Sequence, residues 1–317
     1  MKDYLILISG FIFLFGGGHF LIQSSVMIAR RFNISDMVIG ITIVALGTSA
    51  PELFVSLKAI FAGSADISIS NVVGSNIANI ALVLGLVAII FPIKVKKKGV
   101  WIDWAVMMVA SLLLYLFSWN NNELNIWEGI TFLILLVAYM LWLIYDTRSN
   151  SDVESKKDAT SDEATLKQMP LILITGIFVA SVVGLYYGSG WLVDGARNIA
   201  VSFDISERVV GITVIAFGTS VPELVTSLIA AFKKNTDISI GNIIGSNIFN
   251  IFAILGVTAS VKKLNINVAF LDKDYLWMIA IAFLLFLFLL PLRKGVISRW
   301  KGVMFVVVYV VYIYFLF

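Results

Sequence analysis

The stretch ITIVALGTSAPELFVSL occupies residues 41–57, and ITVIAFGTSVPELVTSL occupies residues 212–228. Each is followed by a second related segment, DISISNVVGSNIANI at 66–80 and DISIGNIIGSNIFNI at 237–251. The chain repeats itself at an offset of 171 residues: 32–85 and 203–256 align without a gap, and 31 of the 54 positions are identical. Duplication of this extent is a property of the fold and is read before any local motif.

Composition defines the kind of fold that is duplicated. Of 317 residues, 60% are hydrophobic and 14% charged, with a mean hydropathy of +0.97. Soluble domains carry about 25% charged residues, and one water-soluble core cannot hide this much apolar side chain. An ordinary cytosolic enzyme is therefore excluded, and an all-α polytopic membrane protein is left. Apolar stretches fall at 4–24, 37–61, 71–92, 101–118, 126–145, 169–191, 207–231, 241–260, 275–291 and 302–317. They predict ten transmembrane helices. The first has no small-x-small cleavage site and is followed by Arg30 and Arg31, so it reads as a helix and not a signal peptide.

The polar run 146–168 reads as a flexible linker between the fifth and sixth helices. It separates a first repeat, 1–145, from a second, 169–317; the repeated motifs extend over 41–85 and 212–256. Of the 23 Lys and Arg residues, sixteen fall on the linker's side and seven on the other. The positive-inside rule then places the linker in the cytoplasm and both ends of this multi-pass cell-membrane protein outside. A net charge of +3 and no basic run longer than Lys96–Lys98 argue against a nucleic-acid partner. There is no cysteine, and His19 is the single histidine, so disulfides, thiolate metal sites and multi-histidine metal sites are excluded.

Five spans in each half is an odd number. Corresponding helices must then cross the membrane in opposite directions, which makes an inverted repeat with its equivalent motifs meeting near the midplane. Pro51 and Pro222 interrupt the second and seventh helices, freeing the carbonyls of Gly47 and Gly218 and loosening those of Thr48 and Thr219. Helices 2, 3, 7 and 8 are expected to be broken at the core. Unpaired backbone at membrane depth persists only where it is buried in protein or lines a cavity.

A glutamate follows each proline. Glu52 and Glu223 are the carboxylates nearest the middle of an apolar span, where a charge costs several kcal/mol. Thr48, Ser49 and Glu52 share one helix face, as do Thr219, Ser220 and Glu223. Ser75 and Asn79, and Ser246 and Asn250, are each one turn apart. Together these residues supply only oxygen ligands, two of them carboxylates, which suits a hard cation such as Ca²⁺ or Na⁺. A single Pro-Glu could be a kink with a self-paired acid; two symmetric copies favour an ion site.

Other features read as structural. His19 has Gly190 as its counterpart and is assigned to packing or an interface rather than to proton transfer. Asp194 and Arg197 are expected to pair locally. Asp66 and Asp237 are read as helix caps, with attraction of cations at a mouth as the alternative. Gly74, Gly85, Gly245 and Gly256 are read as close-packing positions.

The paired GTSAPE and GTSVPE, followed by GSNIANI and GSNIFNI, resemble the two alpha repeats of the sodium/calcium exchangers of the calcium:cation antiporter superfamily. The compact prokaryotic members are the nearest in form. The resemblance implies a calcium site formed by Glu52 and Glu223 with the carbonyls of Thr48 and Thr219. It implies one sodium site from the Ala45 carbonyl, Thr48, Ser49, Glu52 and Ser75, and a mirror site from the Ala216 carbonyl, Thr219, Ser220, Glu223 and Ser246. Asn79 and Asn250 complete the centre. Helices 1 and 6 are the pair that slides to switch access. Some members carry an aspartate where this chain has Asn79 or Asn250, so potassium co-transport is not the first expectation.

The function so implied is Ca²⁺ extrusion driven by Na⁺ entry, by a monomer in the lipid bilayer, with the ions as cargo and no cofactor. Proton/calcium exchange and potassium-dependent exchange are the alternatives within this class, and a cation channel lies outside it. An intramembrane acid protease is disfavoured, because no nucleophile with a general base is present.

Overall fold

In the computed structural model, residues 2–31, 36–61, 63, 65–95, 99–150, 169–202, 220–268, 270–290 and 296–316 are described. They form ten helices. α1 is Lys2–Arg31. α2 has a first limb Met37–Thr48 and a second limb Ala50–Phe61. α3 is Ala65–Ile90, α4 Val100–Asn121 and α5 Ile126–Asn150. α6 is Leu171–Ser202, and the described part of α7 is Val221–Phe232. α8 is Thr236–Val261, α9 is Tyr275–Leu289 and α10 is Arg299–Leu316.

Six of these helices are long and apolar enough to cross a membrane, and the bent pair in α2 would make a seventh. Each of the ten predicted apolar stretches overlaps a helix. The boundaries differ at several ends: α1 runs to Arg31 and α6 to Ser202, seven and eleven residues past the predicted ends, and α5 runs to Asn150, five residues into the segment read as linker. The rest of that linker, 151–168, lies outside the described residues, as does 203–219, which includes Ala216, Gly218 and Thr219.

α3 and α8 are the axis of the molecule. In their most apolar windows 72% and 89% of residues are buried, against 22% for α5 and α6, which present far more surface to lipid. Contrary to expectation, neither is broken. Each is a continuous helix that widens to a π-helical turn, Asn79–Leu84 in α3 and Asn250–Leu255 in α8. A π turn re-aims side chains without proline and without losing the backbone bonding that a bilayer demands.

Glycines set how closely the helices approach. α1 and α6 run antiparallel, with Gly10 against Gly188 and Leu192, Gly17 against Ser181 and Leu185, and Gly195 against Asp3 and Leu7. A Cβ on Gly10 would stand 2.6 Å from the Leu192 backbone nitrogen, so only glycine permits this contact. α3 meets α10 through Gly85 and Gly302, and α8 meets α5 through Gly256 and Gly129. These two contacts use equivalent positions of the two halves. Gly245 packs as expected, on Ile41, but Gly74 meets no described atom; its equivalent partner, Ile212, is outside the described residues.

Two short strand pairs close the ends. β1, Ile93–Lys94, pairs antiparallel with β4, Val296–Ile297, and β2, Glu123–Leu124, pairs antiparallel with β3, Leu264–Asn265. β1 and β3 occupy equivalent positions in the two halves, so each pair joins one half to the other. The equivalence extends beyond the aligned block. The buried Asp103 accepts a 2.7 Å hydrogen bond from Tyr139, and at the matching positions Asp274 accepts one of 2.9 Å from Tyr312.

A candidate cation site at the crossing of the repeats

The site is organised by a local break in α2, and the residue that opens the described part of α7 has the same backbone conformation. Ser49 (φ −86°, ψ 1°) and Ser220 (φ −91°, ψ 3°) share a conformation in the sparsely allowed bridge region. At Ser49 the two limbs of α2 bend by 43°. Ser49 N–H still bonds the Ala45 carbonyl (2.9 Å) and Leu53 N–H bonds the Ser49 carbonyl (3.2 Å). Among the described residues, no backbone donor spanning the break reaches the Gly47 or Thr48 carbonyl. This agrees with the proline argument for the first repeat; Gly218 and Thr219 lie outside the described residues.

Pro51 and Pro222 stand at the second position of the limbs that follow the break, where a missing N–H costs little. Glu52 and Glu223 follow in the first turn of these 12-residue helices. The unbonded N–H groups of a helix start favour negative charge there. Both glutamates are buried, and they are near enough for their charges to repel.

The hydroxyls around them come from across the repeat. Ser49 Oγ donates to Glu223 Oε1 at 3.3 Å, and Thr48 Oγ1 lies 3.3 Å from Ser246 Oγ. The second limb of α2 packs on the π turn of α8, and α7 packs on that of α3. Ser49 therefore reaches Glu223, and Thr48 reaches Ser246, because α2 crosses the partner repeat at this level. The Ala45 carbonyl is already engaged by Ser49 N–H and by Thr48 Oγ1 (3.3 Å).

What distinguishes the site is the excess of acceptors over donors. Among the described residues, seven buried oxygens of the site have no hydrogen-bond partner: both of Glu52, Oε2 of Glu223, the hydroxyls of Ser75 and Ser220, and the amide oxygens of Asn79 and Asn250; the Asn79 amide nitrogen is unpaired with them. All seven belong to residues picked out in the sequence. Buried polar atoms are almost always paired, and an unpaired set of this kind calls for an explanation. An oxygen-lined pocket with two carboxylates fits a divalent cation or a pair of sodium ions.

Sequence reasoning missed the shell behind these residues. Asn71 donates to Ser56 Oγ (3.0 Å) and to the Glu52 carbonyl (3.2 Å). Asn242 donates to Ser227 Oγ (3.0 Å) and Thr226 Oγ1 (3.1 Å) and accepts from Thr48 Oγ1 (3.2 Å). Asn250 Nδ2 donates to Asn76 Oδ1 (3.0 Å). Asn71 and Asn242, Ser56 and Ser227, and Asn76 and Asn247 are equivalent at the same 171-residue offset. Identity across the repeat was the signal available for them. The Arg197 side chain lies outside the described residues, so its pairing with Asp194 is not described.

A helical membrane protein with a buried, oxygen-lined, doubly acidic site at the crossing of two repeats is a cation transporter by class. The sequence profile of the sodium/calcium exchanger protein family matches residues 2–145 and 173–317, and the chain belongs to that family. It is a multi-pass membrane protein of the calcium/cation antiporter kind. It is 38% identical to a putative antiporter, CaxA, of Alkalimonas amylolytica, over 92% of this chain and 91% of that protein. It is 32% identical to the sodium/calcium exchanger MaX1 of Methanosarcina acetivorans, over 99% and 98%. Among solved structures it is similar to the sodium-calcium exchanger NCX_Mj soaked with Na⁺ and Ca²⁺. There the TM-score is 0.80 and the identity 33%, covering 98% of this chain and 97% of that one.

Proposed function

We propose that the protein exchanges Ca²⁺ for Na⁺ across the cell membrane by alternating access, with inward Na⁺ movement driving Ca²⁺ out. The observation that carries this reading is the set of seven unpaired buried oxygens around Glu52 and Glu223. Ca²⁺ is held by the two carboxylates, which balance its charge, with the carbonyls of Thr48 and Thr219. One Na⁺ site uses the Ala45 carbonyl, Thr48, Ser49, Glu52 and Ser75. Its mirror uses the Ala216 carbonyl, Thr219, Ser220, Glu223 and Ser246. Asn79 and Asn250 complete the centre.

Because both glutamates belong to the calcium site and each also belongs to a sodium site, the two cargoes compete. That competition is what couples their movements. Neutral Asn79 and Asn250 add no further charge, which favours sodium over a potassium-assisted cycle. The hydroxyls favour sodium over protons, since a proton needs no cage of oxygens.

The proposed architecture is ten spans in two inverted five-helix repeats, 1–145 and 169–317, with the linker cytoplasmic and both ends outside. The antiparallel α1 and α6 and the crossed pairing of β1 with β4 and β2 with β3 support it. One chain holds a complete two-fold site, which favours a carrier acting as a monomer over a channel. Equilibrium binding of radiolabelled Ca²⁺ to the purified protein tests the site. Binding should be competed by Na⁺ and abolished in Glu52→Gln. Binding that Na⁺ leaves unchanged would exclude the shared site.

A further inference from the structure

Asn242 is a buried side chain whose two amide protons and amide oxygen are all engaged, and these bonds decide what Thr48 presents to the cation. Thr226 gives its own proton to the Pro222 carbonyl at 2.8 Å. Toward Asn242 it can then only accept, so the amide nitrogen of Asn242 must face Thr226 (3.1 Å) and Ser227 (3.0 Å). The amide oxygen is thereby turned to Thr48 Oγ1, 3.2 Å away. An amide oxygen carries no proton, so Thr48 must be the donor.

Two other acceptors lie within reach of that proton, each at 3.3 Å: the Ala45 carbonyl, which already holds Ser49 N–H, and Ser246 Oγ, which as a hydroxyl can donate to Thr48 instead. The proton of Thr48 is drawn away from the site, and its lone pairs are left to face the side where Ser246 and the cation lie. The equivalent Asn71 shares only part of this arrangement: its amide nitrogen donates to Ser56 Oγ and the Glu52 carbonyl, Val55 stands where Thr226 is, and the matching threonine lies outside the described residues.

We infer that Asn242 is a positioning residue that sets the donor–acceptor polarity of Thr48 and so holds this hydroxyl in the form that binds sodium. The inference rests on the proposed exchange and on the assignment of Thr48 to a sodium site. Calcium, held by carboxylates and backbone carbonyls, depends on this polarity far less than sodium, which relies on neutral oxygens.

The test is a split in apparent affinities, measured in proteoliposomes of the full chain. Sodium dependence is read from Na⁺-driven Ca²⁺ uptake, and calcium dependence from Ca²⁺/Ca²⁺ exchange, which needs no sodium. Asn242→Leu should raise the KM for Na⁺ about tenfold, the usual scale for loss of an outer-shell partner, and leave the KM for Ca²⁺ within about twofold. The double variant Thr226→Val, Ser227→Ala keeps Asn242 but removes what orients its amide, and it should shift the sodium KM in the same direction. It also serves if Asn242→Leu does not fold.

Equal shifts in both KM values would show a merely structural role and overturn the inference. So would unchanged sodium KM values in the folded variants. If the unmodified protein performs Ca²⁺/Ca²⁺ exchange but shows no sodium-driven uptake, it is the proposed coupling ion that fails, and the inference about sodium fails with it.

Discussion

At the residue scale, two carboxylates are buried where a bilayer protein has no spare donors to satisfy them. Burying Glu52 and Glu223 together without a counter-charge is costly, because desolvation and mutual repulsion act in the same direction. The Glu52→Gln or Glu223→Gln protein should therefore be folded and more stable than the unmodified protein without divalent ions, by about 1–3 kcal/mol. It should also lose the stabilisation that Ca²⁺ gives the unmodified protein. Melting curves with and without Ca²⁺ check both effects, and a Gln variant still stabilised by Ca²⁺ contradicts the assignment. Every residue with an unpaired oxygen in the site was recognisable from the repeat, because duplication singles out Ser75 with Ser246 and Asn79 with Asn250. Which of them meet was not recognisable. Thr48 and Ser49 face Glu223 and Ser246 because of a helix crossing, and spacing along one helix carries no information about crossings.

At the element scale, proline and the π turn solve the same problem in different ways. The α2 break frees carbonyls and turns the chain by 43°; the π turns in α3 and α8 aim Asn79 and Asn250 while keeping the helix intact. The broken form of α2 was readable from Pro51; the segment before Pro222 lies outside the described residues. The π turn left no mark in composition, so α3 and α8 were wrongly expected to be broken. Pro51→Ala restores a donor for the Gly47 carbonyl. It should raise the melting temperature while lowering exchange at least about tenfold, since the carbonyls at the break are recaptured by the helix. Equal exchange in Pro51→Ala would mean that the freed carbonyls are not used.

The α1–α6 seam makes a second element-scale prediction. α1 and α6, with α2 and α7, enclose an apolar cluster of their own around Leu14, Leu21, Leu185 and Val225, apart from the main core. Gly10 has backbone within 2.6 Å of its would-be Cβ, whereas Gly16 has no atom within 4 Å. Gly10→Leu should lower stability by about 1–3 kcal/mol or more and impair exchange, and Gly16→Leu should do neither. Thermal melts of the two variants side by side decide this.

At the scale of the whole molecule, the proposed architecture has an odd number of spans in each half, which would turn a duplicated sequence into a site with two related conformations. The 171-residue offset announced the duplication, and the structure carries the equivalence on to Asp103–Tyr139 and Asp274–Tyr312. Those pairs escaped notice because they lie beyond the gapless block: Asp103 and Asp274 keep the 171-residue offset, but Tyr139 and Tyr312 do not. The chain has no cysteine, so single introduced cysteines report sidedness without background. A cysteine at Lys2 and one at Ser155 in the linker should be labelled from opposite faces of intact cells, Lys2→Cys from outside. Labelling from the same face would exclude the inverted topology.

The most direct test of the central claim is uptake of radiolabelled Ca²⁺ into proteoliposomes loaded with Na⁺ and diluted into sodium-free buffer. Matched vesicles would be loaded with K⁺ or given only a pH gradient. Uptake that requires internal Na⁺ and is abolished by Glu223→Gln is the predicted result. Uptake driven equally well by the pH gradient alone, or retained in full by Glu223→Gln, would contradict sodium-coupled exchange at this site.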